Sequence, residues 1–340
     1  MIRFAHRFRT CMSRFSIALV LVLVFAVAPA QALSVEEYPA LRLFVDEMVS
    51  KYDFDRTQLT DWLSEVKLRE DILDAVNRPK ENLPWYQYRK LFVNDDRAKK
   101  GVQFWKANEE ALFRAASEYG VPPEIIVAIL GIETRYGSQH GRYRVLDSLV
   151  TLMLRYPERS DFFRNELAQF LLLARELKVD PRSIKGSYAG AMGAPQFIAS
   201  SYRRYAVDFD GDSRRNIIGS VEDAIGSVGN FLKEHGWQRD APIVGDVRLE
   251  GSMYTWLENN GPEPRINIHN LAHYGILPVK PIDVHQLAAL IMLEGENGPV
   301  YRLGYNNFYV ITRYNHSKNY SMAVVELSEV LHRLYYGDPE

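Results

Sequence analysis

Glu133 lies in Gly131-Ile132-Glu133-Thr134-Arg135-Tyr136-Gly137, where an almost wholly apolar run gives way to a glycine-containing turn. Partial loss of water disfavours the charged form of a carboxyl group and raises its pKa. Such a group can give up a proton near neutral pH and take one back, the work of a general acid and base at a glycosidic oxygen. Position alone favours an ordinary helix-terminal glutamate paired with Arg135 or Arg142, and the neighbouring motifs reverse that preference.

A second chemistry is written in Asp208-Phe209-Asp210-Gly211-Asp212-Ser213-Arg214, with carboxylates at alternate positions as at the start of an EF-hand loop around Ca2+. The match is incomplete: Ser213 stands at the sixth position, where glycine is usual, and Gly219 at the twelfth offers no carboxylate. A solvated acidic turn without metal is the alternative.

Two more segments carry binding chemistry. Ser187 to Phe197 is rich in glycine and alanine, which lets backbone approach a ligand, and Ser187 and Gln196 can hydrogen-bond it. The same composition suits a tight packing junction. Tyr309, Tyr314, Asn315 and Tyr320 group rings that can stack on pyranose faces with an amide that can bind hydroxyl and N-acetyl groups, although tyrosine-rich segments are often core.

The elements that must position these residues are mostly helical. Leu41, Leu43, Phe44 and Met48, then Leu59, Trp62 and Leu63, recur at helical spacing, with Pro79 and Pro84 breaking the run. Asn108 to Tyr119 reads as a helix ended by Gly120, and Pro122-Pro123 starts the next, which is apolar all round to Thr134 and must be buried. Further helices are expected at Asp161 to Leu177 and Val221 to His235. From about Pro242 to Val300 the pattern changes to a small β-rich subdomain. Val244 to Glu250 alternates, Asn259 to Pro262 is a turn, and Leu290 to Glu294 runs into the hairpin signal Gly295-Glu296-Asn297-Gly298. Phe308 to Tyr314 reads as extended, and Tyr320 to Leu334 as a closing helix.

Tyr119 to Gly137, Ser187 to Phe197 and Phe308 to Asn315, with Pro84-Trp85-Tyr86-Gln87-Tyr88-Arg89, occur in the order seen in the lytic murein transglycosylase B family, which the chain resembles over almost all of its length. The resemblance implies a mainly α (α+β) fold: a lysozyme-like helical catalytic core at 107–240, a helical region at 33–106, the β-rich subdomain at 241–300 and a returning segment at 301–340. It implies a lyase that cuts the MurNAc-GlcNAc bond of peptidoglycan without water and leaves 1,6-anhydromuramic acid ends. Glu133 would be the single acid and base, with Tyr88, Ser187, Gln196, Tyr314, Asn315 and Tyr320 around the sugar. It makes Phe308 to Asn315 an active-site strand. The second carboxylate that glycosidases ordinarily need would be replaced by the substrate's own hydroxyl; Asp147 and Asp161 read as caps or surface residues.

For the acidic loop the resemblance implies structural Ca2+ held by Asp208, Asp210, Asp212, the carbonyl of Arg214 and a late acid, Asp223, with Glu222 competing. At Phe231 the family has a cleft tyrosine. Rival readings are a hydrolytic muramidase, a non-catalytic glycan-binding protein and a calcium-dependent adhesion module.

Arg3, Arg7, Arg9 and Arg14 precede the uncharged run Phe15 to Ala28 and the small-residue pattern Ala30-Gln31-Ala32, a secretory leader cleaved after Ala32. The run is short for a membrane anchor. Cleavage would remove the sole cysteine, Cys11, and with it thiol chemistry, and would take the formal net charge from −2 to −6, which gives nucleic-acid binding no support. The expected setting is the periplasm, with glycan strands and cell-wall synthesis or remodelling proteins as partners and no organic cofactor.

Overall fold

The structure, a computed structural model, describes residues 33–78 and 82–337; the leader and Pro79 lie outside them. The helical periodicity near the start is realised in α1 (Pro39–Tyr52) and α2 (Arg56–Ser64). Leu41, Phe44, Met48, Leu59 and Leu63 are buried, whereas Leu43 faces solvent at 63% exposure. Asp55 caps α2 by accepting the Gln58 N–H at 2.7 Å. There follow α3 (Glu70–Val76), α4 (Trp85–Phe92), α5 (Asp95–Ala107) and α6 (Glu109–Tyr119), the last ended by left-handed Gly120.

The apolar helix is α7 (Pro123–Thr134), with Pro123 in its first turn, where a missing N–H costs nothing. Ile125 to Leu130 are each at most 1% exposed. At roughly 1.5–3 kcal/mol per fully buried large aliphatic side chain, this helix is among the strongest contributors to the core.

Strand β1 (Tyr143–Arg144) pairs with β2 (Lys185–Gly186) across α8 (Val145–Arg155) and α9 (Ser160–Leu177), and α10 (Ala199–Tyr205) and α11 (Val221–Glu234) complete the central bundle. α7 packs on α5, α6 and α11. Glu166 is buried within α9 and accepts the Ser200 N–H at 3.1 Å, which anchors the start of α10; burial pushes its carboxyl above the usual range. Asp147 is not a surface residue. It is 4% exposed in the first turn of α8 and accepts the Lys67 N–H at 3.2 Å, tying the N-terminal region to the core, while Asp161 is exposed in the first turn of α9.

The β-rich region is a five-stranded antiparallel sheet of β3 (Val244–Leu249), β4 (Ile266–Asn267), β5 (Ile276–Pro278), β6 (Leu287–Gly295) and β7 (Gly298–Gly304), in the order β4-β6-β7-β3-β5. The expected hairpin is present, with Gly295 opposite Gly298. The sheet has its own small core of Leu257, Ile268, Leu271, Ile276, Ala288, Leu290, Leu303 and Tyr305, with Ile268 and Leu271 supplied by α12 (Ile268–Ala272). It runs four residues past the expected boundary at 300. From Leu33 onward the chain forms one compact unit.

The segment expected to be extended is instead helix α13 (Asn306–Tyr314). Its β-branched and aromatic residues favour strands, but packing overrides that preference. Buried Asn307 accepts the Gln238 N–H at 2.8 Å and donates to the Gln238 carbonyl at 2.7 Å, and the helix lays buried Phe308, Val310 and Ile311 into the main core. The closing helix α14 (Lys318–Tyr336) then runs back along α7. No single helix among the described residues is long and apolar enough to cross a membrane.

Candidate active site and acidic loop

Glu133 is the penultimate residue of α7 and is half-buried. After Thr134 the backbone turns left-handed for three residues, Arg135 (φ 50°), Tyr136 (φ 60°) and Gly137 (φ 80°). Two of these are not glycine, and a conformation so disfavoured persists only where neighbours enforce it. The enforcement is visible. Tyr136 folds back over α7, donates its hydroxyl to the Arg97 carbonyl at 2.7 Å and stacks on Phe104. A Cβ at Gly131 would meet the Tyr136 ring at 2.6 Å, so the glycine two residues before Glu133 is there to admit that ring.

Thr134 is fully buried; its hydroxyl donates to the Ala194 carbonyl at 2.8 Å and accepts the Gly137 N–H at 3.0 Å. It thereby clamps the end of α7 to the Ser187–Phe197 loop. The only sequence sign of this was a threonine beside the glutamate. Arg135 lies 3.9 Å from Asp96, and Arg142 is against Tyr143.

Across from α7, Tyr320 in the first turn of α14 donates its hydroxyl to Glu133 Oε1 at 2.7 Å. The ring of Tyr314 stacks parallel to that of Tyr320, with centroids 6.4 Å apart, and its hydroxyl donates to the Pro195 carbonyl at 2.6 Å. Burial first, and the Glu133 charge second, push both phenols well above the usual tyrosine range. Both therefore stay neutral donors through the working pH range. Asn315 follows directly as the residue that ends α13, and Ser317 caps α14 by accepting the Tyr320 N–H at 3.2 Å. Tyr88 is 1% exposed, its ring against Phe92.

The loop bearing Ser187 and Gln196 is held from within. Ser187 Oγ accepts the N–H groups of Ala189 and Ala191 at 3.2 and 3.0 Å, which leaves its hydroxyl proton as what it can offer a ligand. Gln196 has left-handed backbone (φ 51°) and donates its amide to the Gly193 carbonyl at 2.9 Å, leaving its side-chain carbonyl. The glycines also serve close packing: a Cβ on Gly186 would lie 2.2 Å from the Ala191 carbonyl oxygen. Phe231 lies under Tyr314, edge to face at 4.8 Å, and stacks on His235, so this position supports the tyrosine by packing. Tyr309 stands apart from the Tyr314–Tyr320 pair and lines a cavity with Arg265.

In the acidic loop, ligand oxygens of Asp208, Asp210 and Asp212 come within 4.8 Å of one another. Asp208 accepts the Gly211 and Ser213 N–H groups at 2.8 Å each, and Asp212 accepts that of Arg214 at 2.7 Å. Ser213 adopts the left-handed backbone (φ 70°) that glycine would have supplied, so its presence does not spoil the loop. Three converging hard-oxygen donors on such a loop fit Ca2+.

Asp223, the expected late acid, is tied to the backbone of the loop. It is fully buried, and both its oxygens are taken by backbone: Oδ1 by Phe209 (2.6 Å) and Asp210 (3.3 Å), Oδ2 by Asn216 (2.6 Å). It braces the loop from within, and Glu222, the competing late acid, is exposed. From Asn216 the bracing continues, because the Ile217 carbonyl accepts the Ala194 N–H at 3.2 Å and Ala194 is the residue held by Thr134. The acidic loop and the end of α7 thus share one hydrogen-bonded chain.

A helical bundle with a buried central helix ending in a tyrosine-bonded glutamate, beside a small curled sheet, defines a lysozyme-like glycan-cleaving protein. Residues 36–329 match the transglycosylase SLT domain, and the chain belongs to that family. It is 44% identical over 305 residues, 86% of this chain and 82% of the other, to membrane-bound lytic murein transglycosylase B of Escherichia coli K12. The Escherichia coli lytic transglycosylase Slt35, solved in complex with calcium, superposes with a TM-score of 0.82 at 42% identity, covering 91% of this chain and 98% of that one. SltB3 of Pseudomonas aeruginosa, solved in complex with NAG-NAM-pentapeptide, gives a TM-score of 0.75 at 30% identity over 86% of this chain and 78% of that one. The chain is a lytic transglycosylase that cleaves peptidoglycan.

Proposed function

We propose that Glu133 performs both proton transfers of that cleavage. Its carboxyl proton passes to the oxygen joining N-acetylmuramic acid to N-acetylglucosamine, and the bond from that oxygen to C1 breaks. The resulting carboxylate takes the proton of the muramic acid C6 hydroxyl as its oxygen closes onto C1. Each proton is accounted for, no water is consumed, and a 1,6-anhydro end results. The observation that carries the reading is the Tyr320 hydroxyl on Glu133 Oε1 at 2.7 Å, which fixes the carboxyl group in a half-buried setting at the end of α7.

Tyr88, Ser187, Gln196, Tyr314 and Asn315 are assigned to holding the sugar around the oxocarbenium-like stage. Ca2+ is assigned to Asp208, Asp210, Asp212, the Arg214 carbonyl and Glu222, where it supplies positive charge that stiffens the loop. The leader expected at 1–32 supports export of the mature chain to the periplasm, where the glycan strands and the proteins that build them would be its partners.

Mass spectrometry of muropeptides released by the mature protein tests the reading. Anhydro ends are expected. Reducing ends would make the enzyme a hydrolase, and no release at all would leave a binding protein. A second check is Tyr320→Phe, which removes one hydrogen bond to a charged acceptor and is expected to lower kcat about tenfold with KM little changed. Steady-state kinetics on purified glycan strands reads this directly.

A further inference from the structure

Three of the chain's eight histidines, His269, His273 and His285, fall at the β4 edge of the β-rich sheet, which concentrates imidazole there. Helix α12, which follows β4, turns Ile268 and Leu271 into the small core. Helical periodicity then leaves His269 and His273, one turn apart, on the opposite face, and both are exposed. His273 ends the helix with helical backbone (φ −64°, ψ −22°), so the turn between the two histidines is unbroken. Their ring centroids lie 5.4 Å apart. Two imidazoles on one ion, each with its nitrogen at about 2.0–2.1 Å and a tetrahedral angle between them, have ring centres about 5 Å apart. The pair therefore already stands near the separation that a chelated ion needs.

A third donor lies on the chain opposite. β4 pairs with β6 at Ile266–Ala288 and Asn267–Leu287, and the antiparallel track continues past the strand. There the Ile268 N–H donates to the Gln286 carbonyl at 3.0 Å and the His269 N–H to the Val284 carbonyl at 3.1 Å. Exposed His285 is thus carried by the backbone that holds His269. Its turn is fixed: the Asp283 carboxylate accepts the His285 N–H at 2.9 Å, and the Asp283 carbonyl accepts the Gln286 N–H at 3.0 Å. None of the three imidazoles has a hydrogen bond or an ion pair among the described residues. Exposed side chains of this kind change rotamer within nanoseconds, so His285 can turn toward an ion held by the other two.

Neutral imidazole nitrogen is a poor ligand for Ca2+, which takes oxygen, and a good one for Zn2+, Ni2+ and Cu2+. We propose that His269 and His273 form a chelating pair for a divalent transition ion of the Zn2+ class, completed by the His285 imidazole and water. The ion bridges α12 to the 283–286 turn and reinforces the edge that two-residue β4 leaves short. The site is separate from the acidic loop, whose carboxylate oxygens suit a harder ion, and its ligands take no part in the glycan chemistry.

The test is titration calorimetry of the untagged mature protein with Zn2+, run in excess Ca2+ so that the acidic loop keeps its own ion. One Zn2+ per chain is expected. His269→Ala, His273→Ala and His285→Ala should each weaken binding about tenfold or more, as for the loss of one ligand. His332→Ala, which removes a solvent-facing histidine of α14, should leave it unchanged. Because the three ligands are exposed, the metal-free variants should melt with the wild type. Zn2+ should raise the thermal midpoint of the wild type and not that of the His269→Ala, His273→Ala double variant. Absence of Zn2+ binding, binding that the double variant keeps, or an affinity untouched by His285→Ala would overturn the proposal.

Discussion

Replacing Glu133 with glutamine is expected to lower kcat for anhydro-end release by roughly a thousandfold or more while leaving the fold intact. The size follows from what the group does twice. One positioned acid or base is worth about 10²–10⁴, and here a single side chain both protonates the leaving oxygen and deprotonates the attacking hydroxyl. Glutamine keeps the shape and an oxygen for the Tyr320 hydroxyl, but has no proton acidic enough to give and no basicity to take one. No second carboxylate stands ready among those weighed from the sequence: Asp147 is tied to Lys67, and Asp161 is in solvent. The thermal midpoint should therefore hardly move while muropeptide release collapses. Residual activity near the wild-type level would place the proton transfers elsewhere.

How much of this was legible depends on whether the information was local. The Pro122-Pro123 start, the unbroken apolar run and the glycine turn announced a buried helix ending at a carboxylate, and Gly295 to Gly298 announced the hairpin. Phe308 to Tyr314 misled because its residue types favour strands, whereas the helix is set by Asn307 gripping Gln238 and by the core beneath it, neither of which is near in sequence. Tyr320 against Glu133 is a contact across 187 positions, reachable from the chain only through family resemblance. Asp223 joins a local sign to a non-local contact. Ser220-Val221-Glu222-Asp223 carries the spacing of a helix capping box, and Ser220 Oγ does accept the Asp223 N–H at 3.2 Å. The Asp223 carboxylate itself reaches back to the loop's backbone, a contact that no local pattern announces.

Asp223→Ala is accordingly expected to destabilise the protein by about 3 kcal/mol even in the absence of calcium, because it strips three backbone N–H groups of a charged acceptor in one step. For a chain of this size the thermal midpoint should fall by roughly 5 °C, measured in chelator. Activity should fall with it at temperatures below the midpoint, because Asn216 leads to Ile217, Ile217 holds Ala194, and Ala194 holds the threonine beside Glu133. Glu222→Gln should behave in the opposite manner, with an unchanged midpoint in chelator and a calcium affinity about tenfold weaker by titration calorimetry, the loss expected of one hard anionic ligand. The pair separates bracing from coordination. An Asp223→Ala protein that melts normally in chelator and loses only calcium affinity would return Asp223 to the ligand set, whereas the contrasting pattern makes the loop a structural strut that calcium tightens and Asp223 builds.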